Sequence, residues 1–386
     1  MIKPPRLPAI DMLRGLVIAL MALDHTRDFF GPTPFSPEDL SATTPAWFWT
    51  RWITHLCATV FVLLAGSSAF LRGQGSGIAD LSRYLATRGL MLLALEATWI
   101  SFSWQFGYNV IILQVIWALG VGMMMLALLV WLPRPAIAVI GALLIVTHNA
   151  FDAWKPASVL WQAWHQGGFV PLPEGSPLAG IVIMYPLMPW VGLMAAGYAL
   201  GPVFLWERAR RDRFLLATAA VLLLAFVALR AFNVYGDPGP WAAQGRGLMF
   251  DVMSFVRVHK YPPSLLYLCI TTGIGLLLLV AFTRMRENKV LLLFGRNPLL
   301  FYVIHIALIH FLGNVYFEIR YGGGPNFSGP VAIWPAGYVH SLPVVYAAWI
   351  AMLLLMYGAI LLWKRVRHEP FGGNIAQDQR TNRPPL

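Results

Sequence analysis

Runs of about twenty mainly apolar residues succeed one another along this 386-residue chain, and that repetition constrains the fold more than any other feature. Each run is long enough to cross roughly 30 Å of hydrocarbon as a helix, the only open-ended backbone form that satisfies its own polar groups there. The predicted spans are 10–30, 50–71, 87–105, 111–131, 136–150, 179–204, 214–234, 263–283, 290–314 and 343–363. With 58% hydrophobic and only 12% charged residues, too few charges remain to wet a soluble surface. The expected fold is an all-α, polytopic integral membrane bundle of about ten transmembrane helices. It forms a single domain over 1–386, with a basic tail from about 364.

The net charge of +11 does not form a nucleic-acid stripe, because the basic residues fall in short clusters between apolar runs. Those clusters, at the N-terminus, 72–86, 132–135, 205–213, 284–289 and the C-terminal tail, mark the cytoplasmic face and put both termini there. Longer loops rich in Trp, Pro and Gly, at 31–49, 151–178, 235–262 and 315–342, belong to the other face. The expected setting is a membrane with the basic clusters on its cytoplasmic side. The basic residues before the first run, Lys3 and Arg6, are not followed by a small-residue cleavage site, so the first helix is expected to be retained. Cys57 and Cys269 lack metal-ligand spacing and read as packing residues, and no metal is expected. The glycine-rich GQGSG at 73–77 follows a membrane helix and no strand, so it reads as a turn.

Ionisable groups are costly in hydrocarbon, which makes each one retained there a candidate. Eight of the nine histidines (His25, His55, His148, His165, His259, His305, His310 and His340) fall on or near the outer face, with His368 alone on the cytoplasmic side. His25 ends the first helix with Asp28 three residues on, a spacing that puts imidazole and carboxylate on one face as a general base and its orienter. His55 opens the second span beside Arg51 and is the second choice of base. Asp24 is the weaker partner. At the other end of the first helix, Asp11 and Arg14 are spaced for an ion pair. Glu96 lies in the middle of its span, as either a packing hydrogen bond or a site residue. Tyr302 and His305 share a face at mid-membrane in GRNPLLFYVIHIALIH, where Asn297 and Pro298 interrupt the helix start. Trp154, Trp161 and Trp164 fit an interfacial aromatic belt or a sugar-stacking platform.

The first span, with Asp11, Arg14, Gly15 and Met21, resembles the opening motif of the heparan-alpha-glucosaminide N-acetyltransferase family and its bacterial relatives. HLCATVFVLLAG, ending at Gly66, resembles the family's second helix. GRNPLLFYVIH resembles its late helix through Gly295, Asn297, Tyr302 and His305, and RWITHLCATVFVLLAG and KYPPSLLYL are closer still to the bacterial branch. The resemblance implies an acyltransferase that takes acetyl-CoA from the cytoplasm and passes the acetyl group to an amine or hydroxyl of an extracytoplasmic saccharide. It also implies a bacterial plasma membrane as the setting. Within acyl transfer the expected catalytic residues are His25, Asp28, His55 and His305, with His305 and Tyr302 positioning or polarising the thioester. Arg14, Arg72, Arg88, Arg296, Asn297 and Tyr302 would bind the donor, with Arg83, Arg284 and Arg286 on the same basic face. Direct transfer and an acetyl-histidine intermediate both fit, and a homodimer is compatible with the reading. Eukaryotic members place Asn at the position of His25, Asp at that of His55, and their catalytic His where this chain has Ser36, so the base is expected to have moved. The alternative is a transporter using Glu96, Tyr302 and His305 as a substrate or proton path.

Overall fold

The computed structural model describes residues 7–325 and 333–367. The basic residues Lys3 and Arg6, most of the C-terminal tail, His368 and part of the last outer loop lie outside the described residues.

Besides the short helical segment 159–166, the helices in chain order are α1 Pro8–Phe30, α2 Pro45–Gly73, α3 Ile78–Gln105, α4 Val115–Leu129, α5 Arg134–Phe151, α6 Leu187–Leu205, α7 Arg208–Phe232, α8 Leu248–Val256, α9 Leu265–Arg284, α10 Lys289–Arg296, α11 Pro298–Tyr321 and α12 Leu342–Val366. Eight of these (α2, α3, α5, α6, α7, α9, α11 and α12) are long and apolar enough to cross a bilayer. Each of the remaining predicted spans also contains a helix, α1 with charges at both ends and the shorter α4. The chain is thus an all-α polytopic membrane bundle.

Two details differ from expectation. The predicted span 111–131 opens with a strand: β1 Val110–Leu113, β2 Gly168–Pro171 and β3 Gly180–Ile183 form a sheet of order β1-β3-β2, with β1 parallel and β2 antiparallel to β3. Four-residue apolar strands abutting a helix are invisible to a hydropathy window, which merges them with it. The predicted span 290–314 is two helices, α10 and α11, because Asn297 leaves helical geometry before Pro298.

Helix α1 is the axis of the bundle, apolar on every side between its charged ends and buried along most of its length, as a core helix should be. It packs against α2, α9, α10, α11 and α12. Where α1 meets α10 the backbones nearly touch: a Cβ on Gly15 would overlap the Leu291 carbonyl, and one on Gly295 the Asp11 carbonyl. Small residues let membrane helices approach this closely, so two of the glycines in the sequence motifs hold α10 against the Asp11 end of α1. By contrast α5, α7 and α12 show most of their surface to the outside.

Candidate active site

The charges at the far end of α1 are answered by residues distant in sequence. Asp24 accepts from Arg51 Nη1 at 2.9 and 3.1 Å, and it has Arg27 Nη1 at 3.0 Å and Lys260 Nζ at 3.9 Å. Arg27 Nη2 also donates to Asp28 at 2.6 Å. The loop after α1 supplies Glu38, whose Oε1 lies 2.8 Å from His55 Nε2 and whose Oε2 lies 3.9 Å from Arg51 Nε. Burial alone would raise the Glu38 carboxyl; the neighbouring His55 imidazole and Arg51 guanidinium outweigh it and hold the group down at about 2. Three carboxylates interleaved with three cations keep the buried charge compensated, which is what allows it to persist.

The expected pairing of His25 with Asp28 is not the one formed. Asp28 is taken by Arg27, and the hydrogen bond of His25 runs from its Nδ1 to His305 Nε2 at 2.8 Å, between α1 and α11. The backbone settles the direction of that bond. His305 Nδ1 lies 2.8 Å from the Tyr302 carbonyl and 3.0 Å from that of Phe301, and carbonyl oxygens only accept. For two neutral imidazoles the His305 proton is therefore on Nδ1, its Nε2 accepts, and His25 Nδ1 donates. The lone pair of His25 is left on Nε2. The two imidazoles stack with ring centroids 5.0 Å apart, and the Trp104 ring stands nearly perpendicular to His25 with centroids 5.1 Å apart.

His25 lines a cavity of about 230 Å³ at the end of the bundle expected to face outward, called the outer cavity. Its polar wall is Asp24, Asp28, Lys260, Gln114 and Tyr261, and the little sheet contributes Ile112 and Val182. A second, inner cavity of about 220 Å³ is lined by Arg14, Leu92, Leu119, Pro298, Leu299 and Tyr302. The two cavities share Met21, Phe61 and Val115 in their walls, so those side chains stand between them.

Among the residues predicted to bind a donor, Arg14 and Tyr302 face the inner cavity. Arg14 also donates to Asp11 at 3.2 Å and to Ser68, while the Tyr302 hydroxyl is buried without a partner. Arg296 Nε lies 3.4 Å from Asp11 Oδ2, and Asn297 Nδ2 caps the Leu293 carbonyl at the α10–α11 break. Arg72 and Arg88 converge on the Tyr84 ring, 5.1 and 5.7 Å from its centroid, at the same end of the bundle. His55 lines neither cavity and is held by Glu38. Nor does His305, whose ring is enclosed by His25, Phe301 and Tyr302. Glu96 accepts the Gln114 N–H through Oε1 and leaves Oε2 unpartnered, so it fastens the start of α4 beside the outer cavity. Trp154 and Trp161 pack on each other, and His165 on Asp152, away from both cavities.

Asp24, expected only as the weaker partner of His25, and Lys260 both belong to the wall of the cavity that His25 lines. Lys260 sits in the KYPPSLLYL motif, where a lysine just before a Pro-Pro pair and an apolar span is the signal the sequence carries; the structure buries it.

No curated protein sequence matches the chain. The sequence profile of the catalytic region of heparan-alpha-glucosaminide N-acetyltransferase matches residues 6–235, which include α1, α2 and His25, while α9 and α11, with His305, follow that range. With more than half its length matched, the chain belongs to the heparan-alpha-glucosaminide N-acetyltransferase catalytic family.

Proposed function

We propose that this protein transfers an acetyl group from cytoplasmic acetyl-CoA to an amine or hydroxyl of an extracytoplasmic saccharide. The observation that carries the reading is a pair of cavities with three wall residues in common, an oriented imidazole lining one and an unpartnered phenol lining the other. The donor enters past Arg296, Arg72 and Arg88, whose guanidinium groups match the CoA phosphates. Its pantetheine arm lies along the inner cavity by Arg14 and Asn297, which brings the thioester to Tyr302.

The acceptor sits in the outer cavity with its nucleophilic atom against His25 Nε2. That lone pair takes the acceptor proton as the nitrogen or oxygen attacks the thioester carbonyl. His305 receives the opposite N–H of His25 and keeps the ring in the basic tautomer; it is a positioning residue, and it stabilises the imidazolium by the same hydrogen bond. The Tyr302 hydroxyl donates to the carbonyl oxygen as negative charge develops on it. When the tetrahedral intermediate collapses, the C–S bond breaks and the proton held by His25 passes to the departing CoA thiolate. Asp28 and Lys260 face the acceptor and hold its polar groups, and Glu38 and His55 brace the wall behind them.

The test is to add labelled acetyl-CoA to the purified protein with a panel of amino sugars and envelope glycans. Label transfer with stoichiometric CoA release is expected. Neither CoA binding nor turnover with any acceptor would refute the proposal.

A further inference from the structure

Met21, Phe61 and Val115 come from three helices (α1, α2 and the start of α4), and each lines both cavities. All three are apolar, so the partition between the outer chamber, whose wall carries Asp24, Asp28 and Lys260, and the inner one is a hydrophobic neck. Met21 lies four residues before His25, on the same face of α1 and one turn, about 6 Å, nearer the inner end. A general base works within about 3 Å of the atom it deprotonates, and that atom attacks from about 3–3.5 Å. The carbonyl carbon under attack therefore lies within about 6–7 Å of His25 Nε2, at the level of the neck.

We infer that Met21, Phe61 and Val115 set the acyl-chain length of the donor, admitting a two-carbon acyl group and excluding longer ones by filling the space a longer chain would need. This rests on the acyl-transfer reading above. The thioester arm approaches from below and the acceptor from above, so the alkyl end of the acyl group can extend only sideways, into the ring of Phe61 and the side chains of Met21 and Val115. Each additional methylene must displace one of these packed groups or leave the carbonyl short of His25. Of the three, Phe61 is the bulkiest and is only half-buried, so truncating it opens the neck with the least disturbance to the core. The same apolar ring keeps water from the thioester, so a widened neck also raises CoA release without acceptor.

The experiment measures acetyl-CoA and butyryl-CoA turnover in the wild type and in Phe61→Ala and Phe61→Leu, the milder change covering the case in which Ala does not fold. A pocket that discriminates by methylene does so by roughly 10-fold or more per group, so the wild type is expected to prefer acetyl strongly. The butyryl-to-acetyl ratio should rise about 10-fold or more in Phe61→Ala and by less in Phe61→Leu. A wild type that turns over both donors equally, or a ratio unmoved in every folded Phe61 variant, overturns the neck assignment and leaves acyl transfer standing. No transfer from any acyl-CoA by the wild type overturns both.

Discussion

Replacing His305 by leucine tests the hydrogen-bond logic of the site. The substitution keeps a buried side chain of similar bulk on α11 and removes the one acceptor facing His25 Nδ1. The Phe301 and Tyr302 carbonyls lose only a supplementary donor, since both lie inside a helix. His25 then keeps a buried N–H without a partner, at a cost of about 1–3 kcal/mol, or shifts its proton to Nε2. The shift relieves that cost and points a proton at the acceptor where a lone pair was needed. General-base assistance is worth roughly 10²–10⁴-fold, so kcat for acetyl transfer should fall by about that factor with donor KM little changed. His305→Gln, whose amide oxygen can accept from His25 Nδ1, should recover about 10-fold or more of the loss. The assay is steady-state transfer at saturating donor, with thermal unfolding in detergent to confirm that both variants fold. A folded His305→Leu enzyme with kcat within about threefold of wild type would refute the tautomer argument, as would a Gln variant no better than Leu.

His25→Ala should lower transfer by about 10²–10⁴-fold while calorimetric CoA binding persists, and weakened CoA binding would mean that His25 holds the donor. Gly295→Val forces a side chain into the Asp11 carbonyl and should destabilise by about 1–3 kcal/mol or more, read as a lower Tm; an unchanged Tm would contradict the close α1–α10 contact. Glu38, held at about 2 against an ordinary 4.5, contributes stability that is complete above the ordinary value and lost as pH falls through the folded one. Glu38→Gln should therefore lower Tm most at neutral pH, with the gap to wild type closing between pH 4.5 and about 2; a gap independent of pH would show that the carboxylate charge is idle.

What the sequence made legible was whatever depends on composition within one segment. Hydropathy located the helices because each span must bury or face lipid as a unit, and the Asn297–Pro298 break showed because proline restricts the residue before it. The glycines of the motif could be noticed, but that Gly15 and Gly295 meet across α1 and α10 follows only from packing. The site itself is assembled from remote pieces. His25 and His305 are 280 residues apart, and an apolar helix carries no code for which neighbour it will face. Helical spacing did put Asp28 near His25, yet Arg27 captures that carboxylate. The cluster around Asp24 draws on Arg51 from α2 and Lys260 from the loop before α9, which no local periodicity connects. His55 read as a rival base because its partner, Glu38, sits in an irregular loop without a pattern.

In the proposed reaction donor and acceptor meet at a junction within the bilayer, each reaching it from its own side. The direct measurement uses the protein oriented in sealed vesicles, with labelled acetyl-CoA confined to the Arg14 side and a membrane-impermeant amino sugar confined to the His25 side. Label should appear on the sugar across the membrane, and should not appear when both are confined to the Arg14 side. Transfer only when donor and acceptor share one compartment would contradict the account.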